Sequence, residues 1–154
     1  MQFACPARKR GRPEPYLFPA RVMPDGRVLP GEGRPLPRAV QAVLQPFFSF
    51  PLSIVRVHSG IPEWAYQLSS GKDPIAISYK NHIFVKPGYA DLLLPSGWRT
   101  LIHELRHIEQ WYKMGDAFYR DYTQAHQKHG YHGNPYERDA YRHEARVARA
   151  LGLT

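Results

Sequence analysis

His103, Glu104 and His107 spell H-E-x-x-H within the ten residues IHELRHIEQW. Positions i and i+4 of a helix project from the same face, one turn apart, so the two imidazoles can bind one zinc ion together. Glu104 then lies beside the first histidine, where its carboxylate can take a proton from a metal-bound water. This spacing predicts a helix that carries a hydrolytic zinc site.

The residues around the motif favour a helix from Ser96 to Met114. Ser96 can act as its N-cap, and Gly115 can end it. The two histidines lie on the side opposite a face of apolar residues at helical spacing. Glu109 falls on that apolar face, which requires either a buried ion pair or a frayed edge. The apolar face comprises Trp98, Leu101, Ile102, Leu105, Ile108 and Tyr112.

A catalytic zinc needs a third protein ligand, with one position left for water. Glu137, in the segment NPYERDAY, is the preferred candidate because it begins a helix that can pack against the motif helix. Asn134 and Pro135 are typical of the N-cap and first helical positions, so Glu137 also fits a capping role without any metal. The alternative third ligands are His126, His129, His132 and Asp139.

The chain has 154 residues, one cysteine and a net charge of +8. This length suits one domain, and no apolar run is long enough for a membrane-spanning helix, so we expect no membrane partner. With Cys5 as the single cysteine and no Sec-type signal sequence, the cytoplasm is the default location, and export by a leaderless route stays open.

The first forty residues hold 8 of the 15 prolines and a net charge of +5. This composition excludes a helix and predicts an extended Pro/Arg-rich arm over residues 1–36, followed by a folded domain over residues 37–154. We expect the arm to pack on the body through its apolar side chains, which are Tyr16, Leu17, Phe18 and Val22.

The order of predicted elements, strands first and helices later, indicates an α+β domain. Ile75–Tyr79 and His82–Lys86 read as the two strands of a hairpin. The other predicted elements are a helix at Pro37–Gln45, a strand at Pro51–His58, a short helix at Ile61–Leu68, and helices at Ala117–Lys128 and Asn134–Leu151, with a break at Gly130–Gly133.

Four segments together resemble the gluzincin group of zinc peptidases: PLSIVRVHSG, AISYKNHIFVKPGYA, LIHELRHIEQW and NPYERDAY. The similarity is greatest to a bacterial family of short metallopeptidase domains found with toxin-like and contractile-injection-system proteins. It implies a compact zincin-like fold, in which a small mixed sheet precedes an active-site helix and two further helices. It also implies one Zn²⁺ on His103, His107 and Glu137, with Glu104 as general base in the hydrolysis of a peptide or protein substrate.

The same resemblance implies a strand beside the active-site helix along which an extended substrate lies, and a side chain that stabilises the oxyanion. The candidate strand residues are Ile83, Phe84, Val85 and Lys86. The candidate oxyanion stabilisers are His132, Tyr136, Tyr141 and His143.

A different class of function is suggested by Arg10-Gly11-Arg12-Pro13, which resembles the core of an AT-hook that enters the minor groove of A·T-rich DNA. The alternative to a peptidase is therefore a non-enzymatic DNA-associated or protein-binding module on a zincin scaffold. Cys5 could also act as an inhibitory fourth zinc ligand, and a simple free thiol is the competing interpretation.

Overall fold

The computed structural model describes residues 22–23, 25–31, 33–68, 73–88 and 90–153. The predicted AT-hook residues, Cys5 and three of the apolar anchors of the arm lie outside these ranges. The fourth anchor, Val22, is 55% exposed, so the prediction that it packs on the body is wrong. Among the described residues of the predicted arm, Met23, Leu29 and Leu36 have buried side chains instead.

The protein is an α+β domain, as predicted. Its helices are α1 (Arg38–Leu44), α2 (Trp98–Met114), α3 (Ala117–Gly133) and α4 (Pro135–Leu151), and its strands are β1 (Arg56–Ser59), β2 (Ala76–Tyr79) and β3 (His82–Val85). Short 3₁₀ turns connect them at Gln45–Phe47, Leu52–Ile54, Glu63–Leu68, Ala90–Leu93 and Pro95–Gly97.

The three strands form one mixed sheet in the order β1-β3-β2. β2 and β3 are the predicted antiparallel hairpin, with Ala76 opposite Val85. β1 pairs with β3 in parallel, with Arg56 opposite His82. The hairpin therefore has β3 at the centre of the sheet and β2 at an edge.

Two element boundaries differ from the sequence prediction. The predicted strand Pro51–His58 is a 3₁₀ turn over its first half, and only Arg56–Ser59 is strand. Ser96 lies in the 3₁₀ turn that leads into α2, and Gly97 precedes the helix without a side-chain cap. The break predicted at Gly130–Gly133 is a kink inside α3 at Gly130, whose φ of 74° is readily adopted by glycine, and the helix continues to Gly133.

The core surrounds the sheet on both faces. On one face, α2 contributes Leu101, Ile102, Leu105 and Ile108 to a cluster with Val57, Ile83 and Val85. On the other face, Met23 and Leu29 pack with Ala65, Ile77, Tyr79 and Phe84. None of the described helices has the length and apolar character needed to cross a membrane.

Glu109 is a charged residue on the apolar face of α2, and its contacts explain why it is tolerated there. Its side chain is buried, and its Oε1 lies 2.6 Å from Nη1 of Arg106. Its Oε2 accepts hydrogen bonds from the backbone N–H and the hydroxyl of Ser49. Of the two alternatives, the buried ion pair is therefore confirmed, and it ties α2 to the segment after α1.

Candidate metal centre

His103 and His107 lie one turn apart on α2, as the motif predicts. Both side chains are buried, and their ring centroids are 4.9 Å apart. The Nε2 atoms of both rings face the carboxylate of Glu137 on α4, at 2.9 Å from Oε1 for His103 and 3.2 Å from Oε2 for His107. The ligand atoms of the three residues all lie within 4.8 Å of one another.

Glu137 reaches this position because α4 begins where the sequence indicates. The Asn134 side chain accepts a hydrogen bond from the backbone N–H of Tyr136, and Pro135 occupies the first turn. Glu137 follows on the buried side of that turn. The hydroxyl of Tyr122 on α3 donates a hydrogen bond at 2.5 Å to Glu137 Oε2, the oxygen that also faces His107, and so helps to fix the carboxylate.

The outer nitrogen of each histidine has its own acceptor. His103 Nδ1 lies 3.3 Å from Glu144 Oε1, and His107 Nδ1 lies 2.8 Å from Gln110 Oε1. The Gln110 amide donates to Asp139 and to the Tyr136 carbonyl, so its oxygen must face His107. Both histidines therefore carry their proton on Nδ1, which leaves Nε2 as the metal-binding atom.

The charge balance of this cluster suits a divalent cation. Burial opposes protonation, but hydrogen bonds to Glu137 and Glu144 raise the pKa of His103 to about 10. Burial opposes protonation of His107 too, but a hydrogen bond to Glu137 and the charges of Glu137 and Glu104 raise its pKa. Burial acts to raise the pKa of Glu137, but the two histidines hold it well below its usual value. A divalent cation between these groups would supply the positive charge that the Glu137 carboxylate attracts, and two imidazoles with one carboxylate are a donor set typical of catalytic zinc.

Glu104 projects into a cavity of about 490 Å³ bounded by α2, α3, α4 and β2. Burial raises the pKa of its carboxyl, while His107 and His103 and a hydrogen bond from Ser78 act in the opposite direction. Glu104 is absent from the ligand cluster, whose members are the two histidines and Glu137. Its position beside the cluster is the one that a general base requires.

Among the described residues, the alternative third ligands do not belong to the ligand cluster: Asp139 and the α3 histidines His126, His129 and His132. The carboxylate of Asp139 binds the Arg106 guanidinium, with distances of 2.8 and 3.1 Å. A hydrogen bond from Arg106 lowers the pKa of Asp139. Burial acts in the opposite direction, but a second hydrogen bond, from Gln110, adds to the lowering, and the pKa falls to about 2. Of the predicted third ligands, only Glu137 is brought to the two histidines.

Of the four candidate oxyanion stabilisers, Tyr141 lines the cavity. Its ring lies 4.4 Å from that of His103. His132 and Tyr136 do not line it, and His143 is buried on another side of α4 against Phe48, with Nδ1 bonded to Arg146. Tyr131 was not predicted as a site residue, but it lines the cavity and its hydroxyl lies 2.9 Å from that of Tyr141. The sequence feature that points to Tyr131 is the preceding Gly130, because the kink at this glycine changes the direction of the last turn of α3.

The predicted substrate strand, Ile83–Lys86, is wrong. β3 is paired on both sides and its four residues are buried, so it has no free edge. β2 is the edge strand that lines the cavity, through Ala76, Ile77 and Ser78. Among the described residues, no strand or bridge pairs with its outer edge.

Comparison with known families places the chain. The family model described as the eCIS core domain matches residues 35–115, slightly more than half of the chain. The chain belongs to the eCIS core domain family. This membership agrees with the link to contractile injection systems that the sequence resemblance implied. The matched region runs from before α1 to the end of α2, so it includes the H-E-x-x-H motif and ends before the helix that carries Glu137.

Searches of curated proteins and of solved structures found no match to the chain. The eCIS core family therefore supplies the link to injection systems.

Proposed function

We propose that this eCIS core domain is a zinc-dependent peptidase. The observation that carries the proposal is the convergence of His103 Nε2, His107 Nε2 and a Glu137 oxygen within 4.8 Å, with Glu104 beside them in a cavity. A structural zinc site closes with four protein ligands, whereas a catalytic one has three and an open position. The described residues provide three, and the open side faces the cavity.

A zinc ion bound by these residues would polarise the scissile carbonyl and lower the pKa of a water molecule toward about 7. Glu104 is the group that accepts the proton of the attacking water and later passes it to the leaving amine. Ser78 holds the Glu104 carboxylate from the β2 side.

The cavity suits a polypeptide held in extended form. The open edge of β2 offers backbone N–H and C=O groups to a substrate strand, which binds independently of its sequence. Tyr131 and Tyr141 line the cavity with β2, and their paired hydroxyl groups are candidate donors for the oxyanion.

The test is metal analysis of the purified protein together with digestion of a mixed peptide pool, with and without a chelator. We expect one zinc per chain and cleavage that the chelator abolishes and added zinc restores. Cleavage that persists in the chelator, or in the His103→Ala variant, would refute the proposal. A zinc-loaded protein that cleaves nothing in the pool, or in candidate protein substrates, would favour the non-enzymatic binding module.

A further inference from the structure

Charged residues on α4 are segregated by sign. All three acidic side chains are engaged inward: Glu137 with the histidines, Asp139 with Arg106, and Glu144 with His103 and Arg99. The charged residues at the exposed positions of α4 are all arginines. A solvated helix face usually mixes both signs, so this separation needs an explanation.

The arginines form one stripe along the helix: Arg138, Arg142, Arg146 and Arg149, all exposed. Their spacing of four, four and three residues places them within an arc of about 80° and along about 16 Å of the helix. Like charges at these spacings destabilise an isolated helix by about 0.2–0.5 kcal/mol per pair. Only Arg149, in the last turn, gains from the helix dipole.

Three of the four guanidinium groups are available to a partner. Arg138, Arg142 and Arg149 make no side-chain hydrogen bond or ion pair with another residue in the described ranges. Arg146 differs, because its Nη2 donates to His143 Nδ1 at 2.6 Å. Guanidinium groups bind carboxylates through two parallel hydrogen bonds, so the stripe is suited to an acidic chain.

The stripe lies on the solvent-facing side of α4, and its nearest member, Arg138, is about 60° around the helix axis from Tyr141. Tyr141 is exposed and lines the cavity, whereas Glu137 and Glu144 reach the cavity from the inner side of the helix. An extended polypeptide covers about 16 Å with roughly five residues. A substrate that leaves the cavity past Tyr141 can therefore lay a short neighbouring segment along the arginines.

The cavity itself argues against a nucleic acid as the partner. Its lining includes the carboxylates of Asp73, Glu104, Glu137 and Glu144, and no lysine or arginine. A uniformly charged phosphate backbone is repelled by such a lining. A polypeptide, in contrast, can place neutral residues in the cavity and acidic residues on the stripe.

We propose that the arginine stripe of α4 is a docking site for an acidic segment of the polypeptide substrate. This inference rests on the proposed peptidase function, since it places the acidic segment within a few residues of the cleaved bond.

The experiment measures binding with protein that cannot cleave. Zinc-loaded Glu104→Gln protein is titrated against a fluorescent peptide with about five consecutive glutamates, and against the same peptide with glutamines. The same titrations use added Arg138→Gln/Arg142→Gln/Arg149→Gln changes. The matched control removes three exposed charges from α2 and α3 by Lys113→Gln/Arg120→Gln/Lys128→Gln.

We expect the arginine changes to weaken binding of the acidic peptide by about tenfold or more, and the control changes by no more than about twofold. If the arginine changes and the control changes weaken binding equally, net charge alone attracts the peptide and the proposal fails. If the glutamine peptide binds as tightly as the glutamate peptide, the proposal also fails. A duplex DNA that binds more tightly than the acidic peptide, and loses that binding with the arginine changes, would assign the stripe to nucleic acid. Because no cleavage is measured, these outcomes are readable even if the parent protein proves not to be a peptidase.

Discussion

Glu144 Oε1 lies 3.3 Å from Nδ1 of His103, on the side of the ring opposite to the nitrogen that faces Glu137. Arg99 binds the other oxygen of Glu144 at 3.0 Å and holds the carboxylate in place. This contact orients the imidazole and makes it a better electron donor to a metal.

Replacing Glu144 should weaken zinc binding without removing a ligand. We expect Glu144→Ala to lower zinc affinity by about 10–100-fold and Glu144→Gln, which keeps an acceptor, by less. Competition with a chelator of known affinity measures the effect. Glu63→Gln, at an exposed carboxyl, is the control. Equal affinities for all three variants and the parent would show that Glu144 does not position His103.

Zinc should stabilise the fold through the histidines of α2. A metal that binds only the folded state adds about 2.7 kcal/mol to the free energy of unfolding at a hundred times its Kd. We expect added zinc to raise the Tm of the parent and of His129→Ala, whose histidine is exposed. His103→Ala should show no such rise. A zinc-dependent Tm in His103→Ala would place the metal elsewhere.

Glu104 should separate catalysis from metal binding. Glu104→Gln keeps the size of the side chain and leaves the three ligands untouched, so the metal content should equal that of the parent. Hydrolysis should fall by at least about 10²–10⁴, the usual contribution of a positioned general base. If Glu104→Gln hydrolyses a confirmed substrate at the parental rate, Glu104 is not the general base.

The sequence allowed prediction of those parts of the site that depend on local spacing. His103, Glu104 and His107 needed only a helix, and Glu137 needed only the helix start marked by Asn134. The acceptors at the outer nitrogens could not be found, because Glu144 and Gln110 have ordinary surface-type side chains whose role depends on how α4 packs on α2.

The order of the strands could not be predicted either. The hairpin of β2 and β3 is local and was identified from its turn. The parallel pairing of β1 with β3 spans 26 residues from Arg56 to His82 and leaves no local pattern. That pairing decides which strand is the edge, and for this reason the substrate strand was assigned to β3.

The buried ion pair of Glu109 should contribute strongly to stability. Glu109→Ala leaves the backbone N–H of Ser49 unsatisfied and removes one acceptor from Arg106. We expect a loss of roughly 3 kcal/mol in the free energy of unfolding, measured by urea denaturation. Glu63→Ala should change it by less than about 0.5 kcal/mol.

A buried histidine pair beneath the sheet should make the fold sensitive to acid. His58 Nε2 lies 2.9 Å from His82 Nδ1. Burial lowers the pKa of His58 to about 4. Burial, with the charges of His58, Arg56 and Lys80, lowers the pKa of His82 to about 3.

Both rings are therefore neutral in the folded state at a pH where the unfolded chain, with histidine pKa values near 6.5, takes up protons. The free energy of unfolding should fall as the pH drops from about 6.5 to about 4, by up to about 1.4 kcal/mol per pH unit for each ring. Urea denaturation at several pH values measures the slope, and His82→Gln should reduce it. The same slope in His82→Gln would assign the acid sensitivity to other groups.

The open edge of β2 has a consequence for the behaviour of the protein in concentrated solution. An unpaired strand edge can recruit a strand from another molecule and start aggregation. This edge is only four residues long, and the adjoining Lys80 and the Asp73–Lys86 ion pair place charges at its two ends, which discourages pairing between copies. An occupant of the cavity that covers this edge would add to this protection by blocking the backbone groups that remain exposed, so a bound ligand should lower the tendency of the protein to aggregate.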